Sequence, residues 1–243
     1  MSLSRLDTAV LQTLRDKLAG GAQLFSILKK HHLGTDPLLA SLTTSQALAV
    51  LDLMLIERHA LQRAHDGVEL VWSGPETGAT ETRETAVVLR ELFLGAKRSI
   101  LVATFVFYDG DSIFDDLARR LDDDGIDVRF VLHAEADASP TESRRRCAAA
   151  FRQNWPGKTM PRIWIDPRTT IEAPKKTTMH AKFVSVDDEV VFLTSANFTA
   201  AAQERNVEAG ALLRQPVFAQ RLRRHIDGLI ANKLLEPLLL AQA

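Results

Sequence analysis

The chain has 243 residues, of which 46% are hydrophobic and 25% charged, and its formal net charge is -1. This is the composition of a folded, core-forming chain, and the near-zero charge excludes a protein that grips nucleic acid through a global positive field. A single cysteine, Cys147, excludes a disulfide framework and a multi-cysteine metal site, and fits a reducing cytoplasm.

The first elements in chain order are helical. Leu6, Val10, Leu11, Leu14 and Leu18 recur at helical spacing until Gly20-Gly21 stops the run. Ala22 to His31 predicts a second short helix ending near Gly34. Thr44-Ser45 predicts the cap of a third, running through Leu61 with a stripe at Leu48, Leu51, Leu55 and Ile56. The N-terminus lacks the basic-then-apolar layout of a signal peptide, and no apolar run reaches the ~18 residues of a membrane span. A cytoplasmic protein with no stable membrane insertion is expected.

The pattern changes near residue 66, which divides a helical region, 1–66, from a second domain, 67–243. Val68 to Trp72 is strand-like and Ser73-Gly74-Pro75 breaks it. Thr82 to Leu94 is an amphipathic helix. Ser99 to Phe107 is almost wholly apolar, as a strand buried on both faces must be. A helix at Asp111 to Leu121, a strand at Ile126 to Leu132 and a helix at Thr141 to Asn154 follow. Arg162 to Ile165 is a short strand, and His180 to Val186 with Val190 to Thr194 forms a hairpin through Asp187-Asp188-Glu189. Asn206 to Leu213 is a strand and Pro216 to Lys233 the closing helix. The alternation predicts a layered α/β domain with a mixed sheet and helices on both faces.

The hairpin carries chemistry. Successive strand side chains alternate faces, so His180 and Lys182 project together while Asp187 has the opposite parity. Ser195 and Asn197 share a parity on the returning strand, and Asn206 and Glu208 on the next, beside Gly210 where bulk is unwanted. An ammonium and an amide suit non-bridging phosphate oxygens. A neutral imidazole is a nucleophile near pH 7, and a carboxylate such as Glu208 could fix its tautomer. No Asp/Glu/His cage for a catalytic metal is evident; Asp109-Gly110-Asp111 and Asp122-Asp123-Asp124 read as a loop and a solvated helix end. The set reads as metal-independent phosphoryl chemistry that needs no cofactor. Taken singly, His31, His32, His59, His65 and His225 read as packed or exposed rings, as does His133, although it sits just past a strand end where sites are common.

At these residues the sequence resembles the phospholipase D superfamily. That family's signature is His-x-Lys, four residues, Asp, six residues, Gly-Ser-x-Asn; here it stands as His180, Lys182, Asp187, then Thr194-Ser195-Ala196-Asn197. Thr194 takes the place of the glycine, and Asn206-x-Glu208-x-Gly210 resembles the supporting segment. The resemblance extends over roughly residues 68 to 230 and implies a phospholipase-D-like layered α/β/α domain. It implies that His180 is the nucleophile and forms a phosphohistidine. Lys182 and Asn197 would hold phosphate oxygens with Ser195 beside them, Glu208 would orient the His180 ring, and Asp187 would be structural. Family sites use two such motifs and this chain has one His-x-Lys, so the resemblance implies a homodimer with a shared site and a bell-shaped pH profile. The single motif resembles the family's small nucleases. More narrowly, LVWSGPE (70–76) and ETRETAVVLRELF (81–93) resemble the phospholipase-D-like component of the DISARM anti-phage system, which implies helicase and methyltransferase partners and DNA as target.

Nucleic acid requires positive charge near the site. Arg162, Arg168, Lys175 and Lys176 precede His180, and Arg83 is a further candidate. Arg144-Arg145-Arg146 and Arg221, Arg223, Arg224 read as solvated helix faces. Phe107, Trp155 and Trp164 could stack bases or pack in the core. A lipid phosphodiesterase or phosphatidyl transferase, and a binding or scaffold subunit of a defence complex, are the alternatives to a nuclease.

Overall fold

The computed structural model describes residues 6–30, 41–75, 78, 81–108 and 110–239. The end of the second predicted helix at His31 to Gly34, His32, Asp109 and the side chain of His65 lie outside the described residues. The chain divides into two compact units, Met1–Asp66 and Gly67–Ala243.

In the first unit, α1 (Thr8–Ala19) starts because the Asp7 carboxylate accepts the Val10 N–H at 2.7 Å, satisfying a donor the helix cannot. Leu11, Leu14 and Leu18 form its buried stripe. After α2 (Leu24–Lys30), α3 (Thr44–Asp66) begins with a capping box one residue earlier than the sequence suggests. Thr43 Oγ1 accepts the Gln46 N–H at 3.2 Å, and Gln46 Oε1 accepts the Thr43 N–H at 2.9 Å. Leu51 and Leu55 of α3 are buried against α1. Ile56, predicted for that stripe, is 63% exposed, because it follows Leu55 around the helix onto the outer face.

In the second unit nine strands among the described residues form one mixed sheet. In chain order the elements are β1 (Val68–Ser73), β2 (Arg83–Glu84), α4 (Thr85–Gly95), β3 (Ser99–Thr104), α5 (Gly110–Ile113), α6 (Asp115–Asp124), β4 (Asp127–Leu132) and α7 (Pro140–Asn154). Then come β5 (Arg162–Ile165), β6 (Phe183–Val186), β7 (Val190–Thr194), α8 (Ala200–Glu204), β8 (Glu208–Leu213), α9 (Pro216–Ala231) and β9 (Glu236–Pro237). The strand order is β2-β1-β8-β7-β6-β3-β4-β5-β9.

Alternation along the strands sorts two cores. Ile100, Val102, Phe130, Val184 and Phe192 face α4, α6 and α7, where Phe93, Phe114, Leu117 and Phe151 are buried. Leu101, Ala103, Val131, Phe183 and Val191 face the opposite way, onto Ala219 and Ile226 of α9. The result is an α/β/α sandwich. Phe107 (8% exposed) and Trp155 (5%) belong to the first core, which removes them from the list of base-stacking candidates.

Predicted ends shift in several places: β6 begins at Phe183 rather than His180, β8 at Glu208 rather than Asn206, and the helix predicted at Asp111 to Leu121 divides into α5 and α6. α4 starts at Thr85 rather than Thr82 because Arg83 and Glu84 pair in parallel with Val71 and Trp72. β3 stops at Thr104, whose hydroxyl donates to the Val106 carbonyl at 2.7 Å and turns the chain. The β6–β7 connection is a tight turn: Asp187 and Asp188 have φ of 55° and 59°, and the Glu189 N–H closes onto Val186 O at 2.9 Å. Those angles match the right-handed twist of a hairpin and favour Asp and Asn. No helix among the described residues is long and apolar enough to cross a membrane.

Candidate active site

Strand direction decides where the site lies. β3 and β4 are parallel, β6 is antiparallel to β3, β7 to β6, and β8 to β7. The C-terminal ends of β3, β4 and β7 and the N-terminal ends of β6 and β8 therefore share one edge of the sandwich. His133, His180, Lys182, Ser195, Asn206 and Glu208 all sit at that edge.

Lys182 is 7% exposed while His180 is exposed. The Lys182 ammonium lies 3.2 Å from His180 Nε2 and 3.3 Å from Nδ1, and donates to the His180 carbonyl at 3.0 Å. Burial lowers the Lys182 pKa, and the charge of Glu208 opposes that shift. Beneath both groups lies Phe105. Its ring centroid is 5.1 Å from the His180 ring, 4.7 Å from the His133 ring and 5.8 Å from Lys182 Nζ.

A second cluster adjoins this pair. The Thr194 N–H donates to Lys182 O at 3.2 Å, which sets the end of β7 beside Lys182. The Ser195 hydroxyl donates to Glu208 Oε2 at 2.5 Å, and Asn206 Nδ2 donates to Glu208 Oε1 at 3.2 Å. Ser195 Oγ in turn accepts the Ala209 N–H at 3.1 Å. Glu208 thus spends both oxygens on Ser195 and Asn206, and no hydrogen bond joins it to His180. The Asn197 Oδ1 is buried without a donor among the described residues. Thr194 Oγ1 accepts the Ala196 N–H at 3.0 Å, so the hydroxyl braces the loop that leads to Asn197. Gly210 faces Thr194 across the β7–β8 pair; a Cβ there would lie 2.7 Å from Leu193 O and 2.7 Å from the Phe192 ring.

Asp187 lies at the other end of β6. Its carboxylate accepts the backbone N–H groups of Lys97, Arg98 and Ser99, each at 2.8 Å. Burial alone would raise its pKa, but these three bonds hold it below the usual carboxylate range.

The candidate substrate cations divide. Arg83 is ion-paired: its guanidinium bonds Glu69 at 2.9 Å and Glu91 at 2.5 Å, on the edge strand β2. Arg168 is ion-paired as well: Asp166 accepts it through Nε at 2.9 Å and Nη2 at 2.6 Å. Lys176 lies 3.9 Å from Glu172, an exposed and weak pair. Lys175 is exposed in the segment before His180 and carries no ion pair among the described residues. Three α7 arginines pair with acids: Arg144 with Glu236, Arg145 with Glu142 and Arg146 with Asp137.

His133 and Phe105 join the site although the sequence singled out neither as part of it. The signal for His133 was its place just past β4; what the sequence did not supply is the β3–β4 register, which pairs Thr104 with Leu132 and so sets Phe105 beside His133. His133 Nδ1 accepts the Met179 N–H at 3.5 Å, one residue before His180. Burial lowers the His133 pKa; Glu135 and Asp166 oppose the shift and His180 adds to it. Among the described residues no three His, Cys, Asp or Glu side chains gather as a metal-binding set.

A sequence profile described as "Cardiolipin synthase, PLD-like domain" matches residues 89–230. A curated relative, "DISARM protein DrmC" of Bacillus paralicheniformis, is 25% identical over 164 residues, which cover 66% of this chain and 62% of the relative. The match therefore spans less than two thirds of that protein. Among solved structures, the phospholipase D family member Nuc from Salmonella typhimurium is 20% identical, with a TM-score of 0.46 over 70% of this chain and 96% of its own. NucT from Helicobacter pylori is 18% identical, with a TM-score of 0.43 over 58% of this chain and 84% of its own. The phosphatidylserine synthase of Haemophilus influenzae Rd KW20 is 16% identical, with a TM-score of 0.49 over 85% of this chain and 49% of its own.

Proposed function

The chain belongs to the phospholipase D superfamily, and on that premise we propose that it is a metal-independent nuclease that cuts DNA in prokaryotic anti-phage defence. The cut proceeds through a phosphohistidine on His180, in a site shared by two copies of the chain. The observation that carries this reading is the Lys182 ammonium 3.2 Å from the exposed His180 ring, at the sheet edge where Ser195, Asn206 and Glu208 also gather.

A phosphodiester seated there sets a non-bridging oxygen on Lys182, which neutralises charge as it builds on the phosphorane. A His180 ring nitrogen bonds to phosphorus as the bond to one ester oxygen breaks. That oxygen takes a proton from a second imidazole, supplied by a second copy across a two-fold axis. Water then attacks the phosphohistidine, gives its proton to the second imidazole and frees His180. Glu208 keeps Lys182 charged against its burial, and Ser195 and Asn206 hold Glu208 in place. Lys175 and Lys176 offer positive charge to the flanking strand.

The Bacillus relative is named as a DISARM protein. That name supports reading this chain as a defence component; a cytoplasmic location and a helicase and a methyltransferase as partners belong to the same proposal.

The test incubates the protein with single-stranded DNA, duplex DNA, RNA and phosphatidylcholine vesicles in excess chelator, with His180→Asn in parallel and mass measured in the same samples. DNA cleavage by a dimeric wild type, absent in the variant, is expected. Equal cleavage by both proteins, cleavage by a monomer, or turnover of lipid alone would overturn the reading.

A further inference from the structure

Resting on the nuclease reading above, we propose that the cavity on the far side of Phe105 seats one unstacked nucleobase flanking the scissile phosphate, so that the substrate is unpaired, single-stranded nucleic acid. The cavity measures about 570 Å³, within the range of ligand sites, and is open to solvent. It is bounded by the 105–108 segment after β3, the 132–135 segment after β4 and one face of α7.

Three features select a base. The first is position: Phe105 lines the cavity and also packs on the His180 ring, so a nucleoside esterified to a phosphate at His180 has its base one side chain away. The second is the aromatic lining. Tyr108 is 58% exposed in the cavity wall, and its hydroxyl has no partner among the described residues. An exposed ring of this kind provides the face on which bases stack. The third is charge. Arg146, the cation of the cavity, is occupied by Asp137 at 3.0 Å and Glu135 at 3.6 Å. A phosphate therefore gains little there and stays with Lys182. An acyl chain would strip water from His133, Glu135 and Arg146 and return no hydrogen bond. A neutral heteroaromatic ring carries donors and acceptors on its edge and can meet these groups without stripping them of polar contacts. A base held inside a duplex cannot enter without leaving its stack, which is why the proposal selects unpaired strands.

The experiment has two arms. The first compares kcat/KM for thymidine 5′-(4-nitrophenyl) phosphate and methyl 4-nitrophenyl phosphate, which share a leaving group and differ by the nucleoside. Wild type should favour the thymidine diester about tenfold or more, as stacking of one base implies. Tyr108→Ala and Ala150→Phe, the latter filling the cavity from α7, should bring that ratio towards one. A ratio that persists in both variants overturns the proposal.

The second arm measures binding to His180→Asn by fluorescence anisotropy, and so does not depend on turnover. Oligothymidylate should bind about tenfold tighter than an abasic strand of equal length, with Ala150→Phe, added to His180→Asn, removing the difference. Equal binding of the two strands overturns the subsite even if the protein cuts DNA. A base-dependent difference in a protein that hydrolyses neither diester overturns the nuclease reading and keeps the subsite.

Discussion

The Glu208 carboxylate accepts the Ser195 hydroxyl at 2.5 Å and makes no hydrogen bond to His180. Its remaining oxygen belongs to Asn206, so in the proposed mechanism its influence runs through Lys182, whose charge it supports. Ser195→Ala removes the donor of that bond, and Glu208→Gln removes the charge and halves the acceptor that Ser195 and Asn206 share. Their effects on diester hydrolysis should therefore be less than additive, with a coupling of about 1–2 kcal/mol in a double-mutant cycle. Additive losses would mean that Glu208 acts on the reaction without Ser195.

Thr194 and Gly210 face each other where the family motif carries a glycine at the first position. The Thr194 hydroxyl already holds the Ala196 N–H, so Thr194→Gly removes a hydrogen bond and frees the backbone. It should lower stability by about 1 kcal/mol and leave the hydrolysis rate no higher. Gly210→Ala must push a methyl towards Leu193 O and the Phe192 ring, and should cost about 1–3 kcal/mol. Urea unfolding of both variants reads these values; a gain in stability for Gly210→Ala would contradict the packing.

Asp187 ties the hairpin turn to the start of β3 through three backbone N–H groups. Its folded pKa is depressed, so its contribution is present above the unfolded carboxylate value, about pH 4, and is lost as pH falls through the folded value. Asp187→Asn keeps a residue that accepts φ of 55° but halves the acceptor. We expect a loss of about 1–3 kcal/mol at pH 7 that shrinks towards pH 3, with little change in turnover at pH 7. A destabilisation that is the same at pH 7 and pH 3 would argue against the carboxylate charge.

Strand parity made much of this edge legible. The alternation predicted over His180 to Val186 puts His180 with Lys182, and Asn206-x-Glu208 puts those two together. Both pairs do meet, although β6 begins only at Phe183 and β8 at Glu208, so His180, Lys182 and Asn206 lie in the segments leading into the strands. The layers followed from apolar runs such as Ser99 to Thr104, which only a strand covered on both faces can carry. The two-residue strands β2 and β9 left no pattern, because pairing at a sheet edge and not propensity creates them. Arg83 was read as a substrate contact because Glu69 and Glu91 are distant in sequence and adjacent only once β1 and β2 pair. Arg168 was readable: Asp166 lies two residues away, a local acceptor for its guanidinium. The Glu208 partner was missed because parity gives a face, not which of several polar groups on that face a carboxylate reaches.

His133 offers the last test, since its ring shares Phe105 with His180 and is shielded by it. Burial is the first cause of its lowered pKa, with Glu135 and Asp166 opposing and His180 reinforcing. A histidine depressed on folding binds its proton more readily in the unfolded chain. Its contribution is therefore complete above about pH 6.5 and is lost as pH falls from there through the folded value. Replacing His133 with Gln removes the titrating group and keeps an acceptor for the Met179 N–H. The urea midpoint of wild type should fall between pH 7.5 and pH 5.5 by more than that of His133→Gln, and the wild-type His133 ring resonances should titrate below the usual histidine range. Parallel midpoints across that window, together with an ordinary titration of the ring, would show that the imidazole is not held neutral by its place behind Phe105.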